Sequence, residues 1–232
     1  MNKENLDMLK GVLQSLGFTD DPDLLLQLEH ELSQDQFSFQ LATKTSFDDL
    51  TSIEAILYFY RPSRDTYHRL EMYDCRLTYL SDPSKTLFQI FDIDNGSGIA
   101  FREAFNLLQG RSVYKSLPPK NNGQPPIWIQ LDFDRQDDHD NYVFRRFRLG
   151  DSYALEKILG SSPIAELSDE ATKSRLVAEL QRGDLLTVTF ELSSPKKMYI
   201  SANPRYKNIN INPVPEKKRK LKFGQKYRSK KH

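Results

Sequence analysis

The segment from Asp92 to Glu103 has part of the spacing of a calcium-binding loop. An EF-hand loop carries acidic residues at positions 1, 3 and 5, glycine at position 6 and glutamate at position 12. Counting from Asp92 puts Asp94 third and Glu103 last, but the fifth residue is Gly96 and the sixth is Ser97. The residues before Asp92 also have a strand pattern, whereas an EF-hand needs a helix there. We favour a turn from strand to helix, with Asp92, Asp94 and Glu103 as the candidate metal ligands.

A second group of carboxylates lies between Asp132 and Asp140. Clustered carboxylates hold divalent metals in enzymes that transfer phosphoryl groups. That chemistry needs fixed ligands, and most of these residues fall in the predicted loop of a hairpin. Asp132 alternates away from the apolar side chains of its strand, so we expect it to face solvent. A solvated turn is the favoured interpretation.

The chain offers little for nucleophilic or histidine-based chemistry, since it has four histidines and one cysteine. No histidine stands at a metal-ligand spacing from another histidine or from Cys75. A Cys–His nucleophile needs a base within hydrogen-bond reach, and His68 is close to Cys75 only in sequence. We therefore interpret Cys75 as a buried structural thiol. No cofactor is predicted, and enzymatic activity stays open, with the balance against it.

The basic C-terminus is the clearest candidate for binding. From Pro215 to His232 there is one acid, Glu216, and nine basic residues, which are Lys217, Lys218, Arg219, Lys220, Lys222, Lys226, Arg228, Lys230 and Lys231. The chain has 33 basic and 32 acidic residues, so 24 basic and 31 acidic residues remain in the first 214. Basic side chains neutralise phosphates, and Phe223 and Tyr227 can stack on unpaired bases. A disordered solubilising tail, or one that folds back on the acidic body, remains an alternative.

Helices and strands that the hydrophobic pattern predicts must position these residues. Leucines at spacings of three and four predict a helix from Asn5 to Leu16, and Asp21 caps a second helix that Pro22 opens. Alternating apolar residues predict strands at Phe37 to Leu41, Ile53 to Tyr60, Tyr67 to Leu80 and Leu87 to Ile93, before a helix from Phe101 to Leu108.

The second half of the chain repeats the outline of strands and helices. Ile127, Ile129, Leu131 and Phe133 alternate and predict a strand with one apolar face. Further elements are predicted at Tyr142 to Leu149 as its hairpin partner, at Tyr153 to Leu159 and Asp169 to Arg182 as helices, and at Leu185 to Leu192, Lys197 to Ser201 and Tyr206 to Ile211 as strands.

This order predicts an α+β fold of mostly antiparallel sheet, with an N-terminal helical pair, short helices between hairpins and a disordered basic C-terminal tail. Four prolines within nine residues make 118–126 the best internal boundary. The predicted division is 1–117 for helices and antiparallel strands, 118–126 for a Pro-rich linker, 127–212 for hairpins and helices that either pack with the first unit or stand apart, and 213–232 for the tail.

Six blocks of the sequence carry a resemblance to a known family. They are Asn5–Phe18, Arg102–Arg111, Trp128–Phe133, Pro163–Leu167, Leu180–Asp184 and Met198–Asn210. In this order they resemble an uncharacterised bacteroidete family with a domain of unknown function, often found in mobile or conjugative elements. The part from Ala202 to Lys207 is the most specific. The resemblance implies a bacterial cytosolic protein and carries no catalytic residues.

Three hypotheses for function follow. The first is a non-enzymatic accessory protein that makes weak, sequence-tolerant nucleic-acid contacts through the basic tail. The alternative is a protein-interaction or regulatory module with a partner for its acidic body and an inert tail, and the third is a metal-dependent enzyme. No stretch approaches the roughly 18 apolar residues of a membrane-spanning helix, and Met1 to Lys10 has no apolar signal core, so we expect a cytoplasmic protein without membrane contact. The oligomeric state is not predicted.

Overall fold

A computed structural model describes residues 2–34, 36–94, 98–115, 125–150 and 153–215. Within those ranges the helices are α1 (Lys3–Ser15), α2 (Pro22–Ser33), α3 (Phe101–Leu108), α4 (Leu155–Gly160) and α5 (Glu170–Gln181). The strands are β1 (Ser38–Thr45), β2 (Thr51–Tyr60), β3 (Arg69–Tyr79), β4 (Asp82–Asp92), β5 (Val113–Lys115), β6 (Ile127–Gln136), β7 (Tyr142–Phe147), β8 (Leu186–Phe190), β9 (Lys196–Asn203) and β10 (Asn208–Pro213). The predicted α+β class is confirmed.

All the paired strands run antiparallel and form three sheets in the described part of the chain. The first sheet has the order β1-β2-β3-β4, the second β5-β6-β7, and the third β10-β9-β8. Strands that follow one another in the chain therefore lie side by side. Short connections between neighbouring strands favour this arrangement, since antiparallel pairs need only a tight turn.

Helix α2 begins where the sequence predicts, and α1 begins two residues before the predicted Asn5. The Asn2 side chain accepts hydrogen bonds from the backbone N–H groups of Glu4 and Asn5 at the start of α1. The Asp21 side chain likewise accepts hydrogen bonds from two backbone N–H groups in the first turn of α2. Pro22 also lies in this turn, where its lack of an N–H group breaks no hydrogen bond of the helix. These caps satisfy donors that have no partner inside the helix.

The first core lies between the four-stranded sheet and helices α1, α2 and α3. Leu9 and Leu13 from α1 and Leu24 from α2 are fully inaccessible to solvent. They belong to the same cluster as Leu57 and Tyr73 on the inner face of the sheet. The burial pattern along β1 and β2 alternates strictly, so one face of the sheet is buried and the other is accessible.

Strand β6 contributes side chains to two different cores. Ile127, Ile129 and Leu131 belong to the first core, whereas Trp128 belongs to a second core with α4, α5, β8 and β9. β6 also pairs with β5, which precedes the predicted linker in the chain. Of that linker, 118–126, only the last two prolines lie within the described residues.

Two predictions on β6 are wrong, for different reasons. Asp132 was expected to face solvent but is only 5% exposed. It lies on the same side of β6 as Trp128, and Arg145 of β7 donates to its carboxylate at 2.6 Å. Phe133 was expected in the apolar face but is 41% exposed. The pairing of β6 with β7 becomes irregular after Asp132, so the regular alternation ends there.

Candidate functional site

The three candidate metal ligands have different structural roles. Asp92 ends β4 and Asp94 follows it, while 95–97 lie outside the described residues. Glu103 lies in the first turn of α3, where its Oε2 atom accepts hydrogen bonds from the Ala100 N–H at 2.8 Å and from Lys115 Nζ at 2.6 Å. Glu103 thus caps a helix and pairs with a lysine. Among the described residues, no three His, Cys, Asp or Glu side chains are grouped so that they could hold a metal.

The acidic hairpin divides into an ion pair at the buried Asp132 and a solvated turn. Arg145 donates to Asp132 at 2.6 Å and lies 3.5 Å from Asp134, and its hydrogen bond holds the pKa of Asp132 below the ordinary value. The carboxylate of Asp137 accepts from the backbone N–H groups of His139 and Asn141, which lower its pKa. All side chains from 134 to 140 are exposed. The solvated turn is confirmed for 134–140.

Cys75 and His68 occupy separate buried positions. The Cys75 thiol is fully inaccessible, and burial raises its pKa well above the ordinary value. The Nε2 atom of His68 lies 2.7 Å from the Gln36 carbonyl oxygen, and its backbone exchanges two hydrogen bonds with the Asn5 side chain. A thiol held in its neutral form is a poor nucleophile. The structural role predicted for Cys75 agrees with this burial.

A buried charged network that sequence reasoning missed joins the two halves of the chain. Asp184 is 3% exposed and accepts hydrogen bonds from Arg102, Asn106 and Arg182. Arg111 donates to the Gly183 carbonyl at 2.9 Å, and its burial lowers its pKa to about 10. These partners come from α3 and from the end of α5. No local sequence pattern predicts these contacts between α3 and Asp184, because the residues that form them are more than 70 positions apart in the chain.

Two hollows near the ends of β2 and β3 were also missed. The first, of about 540 Å³, lies between α1 and the ends of these strands, with Met8 and Val12 on the helix side. The second, of about 470 Å³, is lined by Tyr58 and other residues of β1, β2 and β3. Tyr60 and Glu71 line both hollows. We call the first hollow the Tyr60 groove.

The nine basic residues of the predicted nucleic-acid site, Lys217 to Lys231, lie outside the described residues. The chain approaches them from β10, the outer strand of the third sheet. Beyond that strand, the Val214 N–H donates to the Lys197 carbonyl at 3.4 Å. Lys196 and Lys197 are both exposed at this point. The tail therefore follows directly from a surface that already carries two lysines.

Comparison of the chain with protein-family models, curated proteins and solved structures finds no match. The resemblance to a bacteroidete family therefore stays a prediction. No helix in the described ranges is both long enough and apolar enough to cross a membrane.

Proposed function

We propose that this protein is a non-enzymatic accessory protein of the bacterial cytoplasm that contacts nucleic acid through its basic C-terminal tail. The observation that carries the proposal is the segregation of charge. Nine basic residues and one acid stand in the last 18 positions, whereas the rest of the chain has seven more acidic than basic residues. Such a segment attracts phosphates, while an acidic surface repels them.

The end of the described chain supports contact at the tail rather than elsewhere on the body. Lys196 and Lys197 lie beside the last described residues and extend the basic segment. In contrast, the hairpin turn at 134–140 presents exposed carboxylates, which disfavour a phosphate backbone. Contact is therefore confined to one end of the molecule.

The tail favours phosphate contact over the reading of base edges. Specific readout requires side chains that are held in a fixed arrangement against the bases. The run from Lys217 to Lys222 consists of five basic residues and one leucine, which supply charge to phosphates, and Phe223 and Tyr227 can stack on any unpaired base. We therefore expect weak binding with little sequence preference and a preference for single strands.

The test is fluorescence anisotropy of labelled single-stranded DNA, duplex DNA and RNA with the full chain. In the tail variant, Lys217, Lys218, Arg219, Lys220 and Lys222 are changed to Gln. In the matched control variant, the same change is made at five exposed body lysines, which are Lys3, Lys44, Lys85, Lys157 and Lys207. Both variants lose five positive charges.

We expect the wild type and the control to bind at low salt and the tail variant to bind at least about tenfold more weakly. The logarithm of the binding constant should fall against the logarithm of salt concentration, with a slope of about −0.7 to −0.9 per phosphate contacted. Equal binding by the two variants would refute the tail mechanism. No binding by the wild type would favour the alternative, an interaction module with an inert tail.

A further inference from the structure

A row of aromatic side chains crosses the second sheet. The register places Tyr114 of β5 and Phe147 of β7 directly opposite Trp128 of β6, so the three rings project from one face. The ring centroids of Tyr114 and Trp128 are 5.2 Å apart, and Tyr153 packs edge-on against Trp128 at 5.3 Å. All four rings line a hollow of about 240 Å³ that the starts of α4 and the end of α5 also border. We call it the Trp128 pocket.

The aromatic wall of the pocket is fixed by the fold. The Tyr153 hydroxyl donates to the Asn208 carbonyl oxygen at 2.8 Å and accepts from the Asn203 N–H at 3.1 Å. Burial raises the pKa of Tyr153 to about 12, so the hydroxyl stays protonated and neutral. Tyr114 and Phe147 are only half-buried and offer ring surface at the mouth of the pocket. A ligand therefore meets preformed rings, which lowers the entropic cost of binding.

Glu156 is the only charged side chain among the residues that line the pocket. It lies in the first turn of α4, is exposed, and makes no hydrogen bond or ion pair with any other residue that the structure describes. Aromatic faces attract a cation that lies within about 6 Å of the ring centroid. The pocket thus combines aromatic faces with a carboxylate that no described residue neutralises. Both features favour a positively charged ligand with an apolar surface.

We propose that the Trp128 pocket binds a methylated ammonium group. A primary ammonium is compact and strongly hydrated, whereas methyl groups give the charge an apolar surface that suits aromatic walls. The pocket is smaller than the roughly 300–1,000 Å³ of sites for drug-sized ligands, so it fits one such group. The group is either free, as in choline, or carried by a trimethylated lysine side chain. This site goes beyond the proposed function and does not depend on nucleic-acid contact.

The experiment uses the fluorescence of Trp128, which is the single tryptophan of the chain. The full chain is titrated with choline and with 3,3-dimethylbutanol, its neutral analogue in which carbon replaces the nitrogen. We expect a saturable change with choline and at least about tenfold weaker binding of the alcohol, because only choline carries the charge. A second pair, a trimethyllysine peptide and its unmethylated form, distinguishes a modified protein from a free small molecule as the source. A rise in unfolding temperature with each ligand is the independent readout.

Matched variants test the carboxylate. Glu156→Gln removes the charge at the pocket, whereas Glu170→Gln removes one from the first turn of α5, outside the pocket lining. We expect Glu156→Gln to weaken choline binding about fivefold and to leave the alcohol unaffected, and Glu170→Gln to change neither. Both positions are exposed, so both variants should fold like the wild type.

A second pair of variants tests the rings. Phe147→Leu removes one ring of the row, whereas Phe133→Leu removes a 41% exposed ring of β6 that does not line the pocket. We expect only Phe147→Leu to weaken the binding of choline. Circular dichroism of each variant shows whether the fold is retained.

Three results would overturn the inference. The first is equal affinity for choline and its neutral analogue, which would make the pocket a merely apolar hollow. The second is an equal effect of Glu156→Gln and Glu170→Gln, which would mean that only overall charge matters. The third is the absence of both a fluorescence change and a rise in unfolding temperature with any of the ligands. Nucleic-acid binding is measured separately, so either proposal can fail alone.

Discussion

Arg102 donates its Nε proton to the Oδ1 atom of Asp184 across 2.8 Å, although 82 positions separate the two residues in the chain. Asp184 is almost fully buried, and Asn106 and Arg182 complete its hydrogen bonds. The contact joins α3, which packs in the first core, to the residues that follow α5, which packs in the second. We regard this network as a structural contact that holds the two halves of the described chain together.

Replacing Asp184 should destabilise the fold more than any surface change. In Asp184→Ala the fully buried Asn106 amide loses an acceptor and the partly exposed Arg102 and Arg182 lose their partner, so we expect the free energy of unfolding to fall by about 2 kcal/mol. Urea unfolding followed by circular dichroism measures it. Asp138→Asn, in the exposed hairpin turn, is the control and should change stability by less than about 0.5 kcal/mol. Similar values for both variants would contradict a structural role for the network.

The same residue predicts how stability depends on pH. Burial opposes ionisation of Asp184, but hydrogen bonds from Arg102, Asn106 and Arg182 outweigh it and hold its pKa below the ordinary value. The unfolded chain therefore takes up a proton more readily than the folded chain. The stabilisation is complete above about pH 4, the ordinary aspartate pKa, and is lost as the pH falls towards the folded pKa.

Asp184→Asn removes this titration, so its stability should approach that of the wild type as the pH falls from about 5 to about 2.5. Urea midpoints measured at several pH values for both proteins give the comparison. Asp138→Asn again serves as the control and should follow the wild type throughout. A difference between Asp184→Asn and wild type that stays constant with pH would show that Asp184 keeps its ordinary pKa in the fold.

Two glycine-to-alanine changes should shift the free energy of unfolding in opposite directions. Gly183 has φ +89°, and a Cβ there would lie 2.9 Å from the Ser112 carbonyl oxygen. Gly183→Ala should therefore cost about 2 kcal/mol of stability or more. Gly11 lies inside α1 with nothing within 4 Å of its added Cβ, so Gly11→Ala should stabilise by about 0.5–1 kcal/mol. Thermal unfolding of both variants and of the wild type measures the two stability changes. A change in the same direction for both variants would contradict the prediction.

Cys75 should react with a thiol reagent only when the protein unfolds. Its side chain has no solvent exposure, and burial raises the pKa of the thiol, so the reactive thiolate is scarce. We expect the rate of a chromogenic disulfide reagent to rise with urea in parallel with unfolding. Stoichiometric reaction without denaturant, at the rate of a free thiol, would show instead that Cys75 opens locally.

The strand shared by the two cores predicts one cooperative unfolding transition. Trp128 is the single tryptophan of the chain and packs in the second core against Tyr153, with ring centroids 5.3 Å apart. Its neighbour Ile129 packs in the first core. Tryptophan fluorescence and far-ultraviolet circular dichroism should therefore have the same urea midpoint. Two separate midpoints would mean that the halves unfold independently, as a division at 118–126 would allow.

Local patterns in the sequence were enough to predict most helices and strands. The leucine spacing of α1, the Asp21–Pro22 start of α2 and the Phe101–Leu108 helix agree with the structure, because each depends on residues within one or two turns. Alternation likewise predicted the strands of the first sheet and the β8–β9 hairpin. The last strand was placed two residues early, since a short 3-10 turn at 204–206 precedes it.

The uneven distribution of charge along the chain was also predicted from the sequence, because the net charge of a segment does not depend on the fold. The basic run after Pro215 and the acidic body are properties of composition alone. They support the proposal of phosphate contact by the tail.

The tertiary structure alone decided which polar residues are buried and which surfaces are concave. Asp132 is shielded from solvent where Arg145 of the neighbouring strand donates to its carboxylate. The Arg102–Asp184 pair and the Tyr60 groove arise where segments distant in the chain meet. Sequence periodicity reports the preference of one element for one buried face. It carries no information on contacts that depend on how separate elements pack together.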